Sequence, residues 1–287
     1  MISARTRKNQ AKEINAVKSE TLDEMPYEGN SHVLLDRGVT SVRPRCRSLV
    51  RSSRQALLAS GLMLATAGVL ARELPPDLFK KGERILFIGD SITHGGRMGD
   101  MNHYLGHGFQ AEIAMRYLAY RPEDRLEFGN RGVSGDSSAD LVARWNRDAV
   151  PFETSAGKRV PDVLSILVGI NDDWKKVSID DYERNLRFMV TNSLAANPKM
   201  RIVLCEPFRL PAEKEGAPLA RRQATVRRLA AEYKLAFVPF QRLFSDELMA
   251  IRPEPKYWFW DSAHPTYAAH MKMADFWIRA VSEQTAK

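Results

Sequence analysis

Residues 84–93 read Arg-Ile-Leu-Phe-Ile-Gly-Asp-Ser-Ile-Thr, and this stretch decides the fold. Ile85 to Ile88 form a continuous apolar run, the pattern of a strand buried on both faces. The run stops at Gly89-Asp90-Ser91, where glycine permits a tight turn and a small hydroxyl follows at the sheet's carboxyl edge. In open α/β sheets that edge is where ligands bind. Ser91 is therefore the candidate nucleophile.

Working outward, Leu126–Phe128, Val163–Val168, Ile202–Cys205 and Ala236–Phe240 are further strand candidates. Helical spacing falls between them. Phe109–Tyr120 reads as a helix, and Ser137 or Ser138 can cap another that carries Leu141, Val142 and Trp145. Ser178 can cap a long helix with Ile179, Tyr182, Leu186, Met189 and Val190 on one face, stopped by Asn197-Pro198. Val226, Leu229, Ala230 and Tyr233 mark another, whose Arg221, Arg222, Arg227 and Arg228 read as a solvated face. Pro265 can open a last helix running to about Val281. Strands alternating with helices imply a parallel sheet covered on both faces. The expectation is one three-layer α/β/α domain over residues 72–287.

Composition narrows the function classes. The net charge of +8 is unevenly placed: residues 1–71 hold 11 Lys/Arg against 6 Asp/Glu, leaving 32 against 29 for the remainder. A nearly neutral domain argues against nucleic acid as a partner. The two cysteines, Cys46 and Cys205, cannot bridge within residues 72–287, and the absence of a CxxC or Cys/His cluster removes a structural zinc site. Cys205, at a strand end, reads as a small buried hydrophobe.

Residues 1–50 are polar, lack periodicity and read as a disordered leader. Arg51 and Arg54 then precede the apolar stretch 56–71, which ends in Val69-Leu70-Ala71. A basic flank, a short apolar core and small residues at its end describe a secretory signal peptide over 51–71. Because such peptides begin near the initiator, a translation start near Val50 is one explanation of the leader. The expectation is export with cleavage after Ala71, with no stable membrane insertion afterwards.

Three strand candidates end in polar, glycine-containing turns: Gly89-Asp90-Ser91, Asn130 to Gly135, and Gly169 to Asp172. A fourth element, Asp261-Ser262-Ala263-His264, lies just before the last helix. A carboxylate three residues before a histidine can fold back onto Nδ1, fixing the tautomer and stabilising the imidazolium formed when Nε2 takes a serine proton. Asp90 and Asp172 read as structural braces. The α/β-hydrolase elbow Gly-x-Ser-x-Gly fits neither Ser91 nor Ser134, and neither a dinucleotide-binding nor a Walker glycine pattern follows any strand candidate.

The four blocks together, Gly-Asp-Ser-Ile-Thr at 89–93, Asn-Arg-Gly-Val-Ser-Gly-Asp at 130–136, Gly-Ile-Asn-Asp at 169–172 and Asp-Ser-Ala-His at 261–264, resemble those of the SGNH (GDSL-type) esterases and lipases. The resemblance implies a flavodoxin-like parallel sheet of about five strands ordered 2-1-3-4-5, and ester hydrolysis with no metal or other cofactor. Position by position it makes Ser91 the nucleophile, His264 the base and Asp261 its orienting partner. The backbone N–H groups of Ser91 and Gly135 and the side-chain amide of Asn171 become the oxyanion hole.

Substrate selection is read from neighbouring residues. Asn102 and His103, in the loop after the nucleophile, and Trp174, Trp258 and Trp260, beside the third and fourth blocks, are candidate contacts, with Asn102, His103, Trp174 and Trp260 retained as substrate-binding. The exported context, the neutral domain and the absence of a long apolar lid favour a carbohydrate O-acetylesterase acting on a small or glycan ester. A lysophospholipase, lipase or thioesterase for longer acyl chains is the alternative, followed by a non-catalytic glycan-binding protein of the same fold.

Overall fold

The protein is described by a computed structural model that covers residues 74–97, 105–154 and 157–285. The leader 1–50, the signal-like segment 51–71, Asn102 and His103 lie outside the described residues. Among the described residues no helix is long and apolar enough to cross a membrane.

Five strands form one parallel sheet: β1 (Arg84–Gly89), β2 (Glu127–Asn130), β3 (Val163–Leu167), β4 (Arg201–Cys205) and β5 (Ala236–Val238). Their order is β2-β1-β3-β4-β5, as the resemblance implies. The major helices are α1 (Phe109–Tyr120), α2 (Ser138–Asp148), α3 (Ile179–Ala196), α4 (Pro218–Glu232) and α5 (Tyr267–Thr285).

Alternation along the buried strands sorts the helices into two layers. Ile85, Phe87, Val163 and Val203 pack with α1 and α5 through Phe109, Ile113, Met273 and Trp277. Leu86, Ile88, Leu164, Ile166, Ile202 and Leu204 face α2, α3 and α4, including Trp145, Leu186, Met189 and Leu229. Period-2 alternation thus feeds two apolar cores from one run of sequence. Trp277 also donates its indole N–H to Ser165 Oγ at 3.1 Å, so the polar atom of a fully buried ring is satisfied.

The chain moves outward from β1 to β2, then crosses back to β3 on the other side of β1. The strand order therefore reverses between β1 and β3, and a crevice opens beyond their carboxyl ends. Ser91 follows one of these strands and Asn171 follows the other.

Two helix caps hold as expected, and other local expectations change. Helix α2 takes Ser137 as its cap and α3 takes Ser178, each accepting from the N–H three residues on. β5 stops at Val238 because Pro239 has no N–H to extend the ladder, and Phe240 begins helical structure instead. Pro265 does not open the last helix: it pairs with Phe259 in a bridge, and Thr266 Oγ1 accepts from Ala269 N–H at the helix start. An antiparallel pair, Phe152–Thr154 with Gly157–Arg159, adds a small ribbon that short polar strands did not announce.

Within the arginine run on α4, Arg221, Arg227 and Arg228 are exposed as expected of a solvated face, and Arg222 is the exception. Arg222 is buried beside the Tyr182 ring, Arg227 reaches the buried Glu206 carboxylate at 2.8 Å, and Arg228 pairs with Glu183. Helical spacing places these positions on the flank toward α3 and β4, where long side chains carry their charge to fixed partners. Cys205 is buried, and burial pushes its thiol up to about 12.

Candidate active site

The turn after β1 is built on close approach. A Cβ at Gly89 would stand 2.1 Å from the Leu167 carbonyl oxygen of β3, so only glycine lets the two strand ends meet. Asp90 then caps a single helical turn, Ser91–His94, its carboxylate accepting from Ile92 N–H at 3.0 Å. Burial raises the Asp90 carboxyl to about 7, against the Ile92 hydrogen bond and with help from the nearby Asp172 and Asp136 charges. Ser91 is the first residue of this turn, where a backbone N–H has no intrahelical acceptor.

The partner of Ser91 arrives from 173 residues downstream: His264 Nε2 lies 2.8 Å from Ser91 Oγ. Asp261 folds back onto the same ring, with Oδ2 at 2.7 Å from Nδ1. Its other oxygen accepts from the backbone N–H groups of Ala263 and His264 at 2.7 and 2.8 Å. Burial opposes ionisation of Asp261, but the His264 ring and these N–H donors outweigh it and hold the carboxyl at about 2. The four-residue turn is closed by Trp260 N–H donating to His264 C=O, and tied to the loop after β4 by Leu210 N–H donating to Ser262 C=O. A carboxylate, an imidazole and a hydroxyl in series can move a proton off the hydroxyl while stabilising the resulting imidazolium.

The second and third blocks brace this edge. Asn130 is fully buried, and its amide donates to the carbonyls of Thr93 and Leu105 at 2.8 and 2.9 Å while Oδ1 accepts from Gly132 N–H. It pins the turn that carries Ser91 to β2. Gly135 sits at φ +82°, a left-handed conformation open to glycine. Asn171 donates one Nδ2 hydrogen to the carbonyl of Asp136, at 2.9 Å, which brings Asn171 to the loop of Gly135. An amide nitrogen carries two hydrogens, and the second remains for another acceptor. Arg144 joins Asp136 (2.7 Å), Asp148 (3.2 Å) and the Gly89 carbonyl (3.3 Å). Asp172 is buried and accepts from Ser138, so it braces α2 as its sequence context suggests.

Of the candidate substrate contacts, Trp174 and Trp260 are exposed, and Trp260 meets Tyr267 edge to face. Trp258 is buried and donates to Arg252 C=O, so it belongs to the core and not to the rim. The contributions of Asn130 and Arg144 escape a reading by residue type, since a buried amide at a strand end looks like an ordinary turn former. Among the described residues no group of three or more His, Cys, Asp or Glu side chains is placed to hold a metal ion.

Comparison with known proteins places this edge in context. The model of the GDSL-like Lipase/Acylhydrolase family matches residues 87–272. An acetylxylan esterase from Geobacillus stearothermophilus is 33% identical over 219 residues, covering 70% of this chain and 94% of that protein. The solved structure of Axe2, an acetylxylan esterase from the same organism, superposes with a TM-score of 0.61 at 32% identity over 70% of this chain and 95% of the other. A candidate GDSL-like lipase from Parabacteroides merdae gives 0.63 at 32% identity over 71% and 97%. The chain is a member of the GDSL-like lipase/acylhydrolase (SGNH) family and an ester-bond hydrolase.

Proposed function

We propose that the protein is a serine esterase that removes acetyl groups from a carbohydrate, using Ser91, His264 and Asp261 as its triad. The observation that carries the mechanism is the chain of contacts from Asp261 through His264 to Ser91 Oγ, at 2.7 and 2.8 Å. Ser91 Oγ attacks the ester carbonyl as its proton passes to His264 Nε2. The negative charge on the former carbonyl oxygen is met by Ser91 N–H, Gly135 N–H and the free Nδ2 hydrogen of Asn171. Each such donor contributes roughly 2.7–4 kcal/mol to lowering the barrier. His264 then protonates the leaving sugar oxygen, and a water deprotonated by the same nitrogen releases acetate from Ser91.

The acetyl and carbohydrate assignment is supported by the acetylxylan esterases among the relatives and by exposed aromatics, Trp174 and Trp260, flanking the site. Residues 72–287 are the catalytic domain in this reading, and residues 51–71 direct its export. N-terminal sequencing of secreted protein should start near Arg72.

Rates on p-nitrophenyl acetate and octanoate, with acetate release from acetylated xylan, test the assignment. Acetate should be preferred, and Ser91→Ala should lose activity by at least about a thousandfold. Faster cleavage of octanoate removes the acetylesterase reading; undiminished turnover by Ser91→Ala removes the nucleophile.

A further inference from the structure

A cavity of about 100 Å³ opens between Gly169-Ile170 and Trp174 on one side and Arg209, Glu213 and Arg222 on the other. It adjoins Asn171, which lies within the same loop. Arg222 is 2% exposed. Its Nη2 donates to Val177 C=O at 2.8 Å, whereas Nε and Nη1 are buried without a hydrogen-bond partner. Arg209 Nε is buried and unpartnered too. Of the seven such orphan atoms among the described residues, three belong to the two arginines of this cavity, and all three are donors.

The neighbouring carboxylates do not answer them. Glu213 spends one oxygen on Arg209 Nη1 and the other on Leu219 N–H, both at 2.9 Å. Asp173 is 67% exposed and stands 3.9 Å from Arg222 Nη1, at ion-pair but not hydrogen-bond distance. Unmet donors on a buried guanidinium are costly, and a ligand that supplies acceptors recovers that cost. A hydroxyl can accept from one of these donors but is uncharged and brings its own hydrogen, whereas a carboxylate brings only acceptors and a complementary charge.

We propose that this cavity is a subsite for a carboxylate on the substrate, a uronic acid residue beside the acetylated sugar, with Arg222 and Arg209 as specificity-determining residues. The proposal rests on the glycan O-acetylesterase reading above. It makes an acidic, acetylated glycan the preferred substrate over a neutral one.

The test compares kcat/KM on two acetylated xylo-oligosaccharides, one carrying a glucuronate branch and one without it. The branched substrate should be preferred by about tenfold, equivalent to about 1.4 kcal/mol. Arg222→Gln and Arg209→Gln should bring the ratio towards one, the half-buried Arg209 guarding against a variant that fails to fold. Methyl glucuronoside should inhibit p-nitrophenyl acetate hydrolysis more strongly than methyl glucoside, and Arg209→Gln should abolish the difference. Equal rates on both oligosaccharides, with no selective inhibition, overturn the subsite and leave the glycan reading standing. If neither oligosaccharide is cleaved while p-nitrophenyl acetate is, the glycan reading falls. The inhibition arm then decides the cavity alone: selectivity lost in Arg209→Gln supports it, and absent selectivity overturns it.

Discussion

The indole N–H of Trp174 donates to Asn171 Oδ1 at 3.2 Å although the ring itself is 65% exposed. An indole nitrogen can only donate, so this contact dictates which end of the Asn171 amide is oxygen. Nδ2 is thereby turned to the Asp136 carbonyl, the orientation that the proposed oxyanion role of Asn171 requires. Trp174→Phe keeps an aromatic surface and removes the donor. We expect kcat to fall about three- to tenfold, the size of one ordinary hydrogen bond, with KM within about twofold. A change confined to KM would make Trp174 a substrate contact alone.

Asp261 stays ionised down to a pH of about 2, so it sets no acid limb of its own in the working range. Its Oδ2 holds the His264 ring through Nδ1 at 2.7 Å. Asp261→Asn should lower kcat/KM by about 10⁴, because a neutral amide in place of the carboxylate can hold the His264 ring in the wrong tautomer. A loss smaller than about tenfold in this variant would contradict the pairing.

Arg144 is a shared cation: it joins the end of β1 to two carboxylates and is 8% exposed. Arg144→Met leaves Asp136 buried and unpaired, which should cost about 3–5 kcal/mol in urea unfolding. Adding Asp136→Asn should return part of that loss. If the double variant is less stable than Arg144→Met, the two residues are not coupled as the contact implies.

Two buried groups make stability depend on pH in opposite senses. His270 accepts from Phe109 N–H, and burial, with the nearby His107 and His264, lowers it from 6.5 to about 4. Between those values the unfolded chain binds more protons, so its contribution is full above 6.5 and is lost as pH falls, by about 3 kcal/mol at most. Asp90 is raised from 3.8 to about 7, so its contribution is full below 3.8 and is lost as pH rises through 7, by about 4 kcal/mol at most. Denaturant midpoints at pH 5 and 8 should show His270→Gln less acid-sensitive than the parent. The same pair of measurements should show Asp90→Asn losing less stability on the alkaline side.

The strands and most helix starts were legible because burial on both faces writes itself as unbroken apolar runs, and Ser137 and Ser178 are local signals. The contacts joining Ser91, His264 and Asp261 were foreseeable because a hydroxyl at a strand end and an Asp-x-x-His turn each suggest chemistry within a few residues. Long-range polar contacts were not legible. Nothing near Arg222 in the chain announces Val177, Asp173 or Tyr182 as its surroundings, and an arginine run on an amphipathic helix ordinarily faces water. Trp258 and Trp260 differ by two positions, yet one is core and the other rim: Trp258 ends the helical turn Pro255–Trp258, and Trp260 lies beyond it.

The separation of 173 residues between Ser91 and His264 has a consequence for the protein's biosynthesis. At about 5–20 residues per second, roughly 10–35 s pass between the ribosome's addition of the serine and of the histidine that completes the pair. A nascent chain that has already emerged with β1 to β5 therefore contains Ser91 without His264, so on the proposed mechanism it holds the hydroxyl without its base. The contact between the two side chains forms only when the segment beyond β5 has folded back across the sheet.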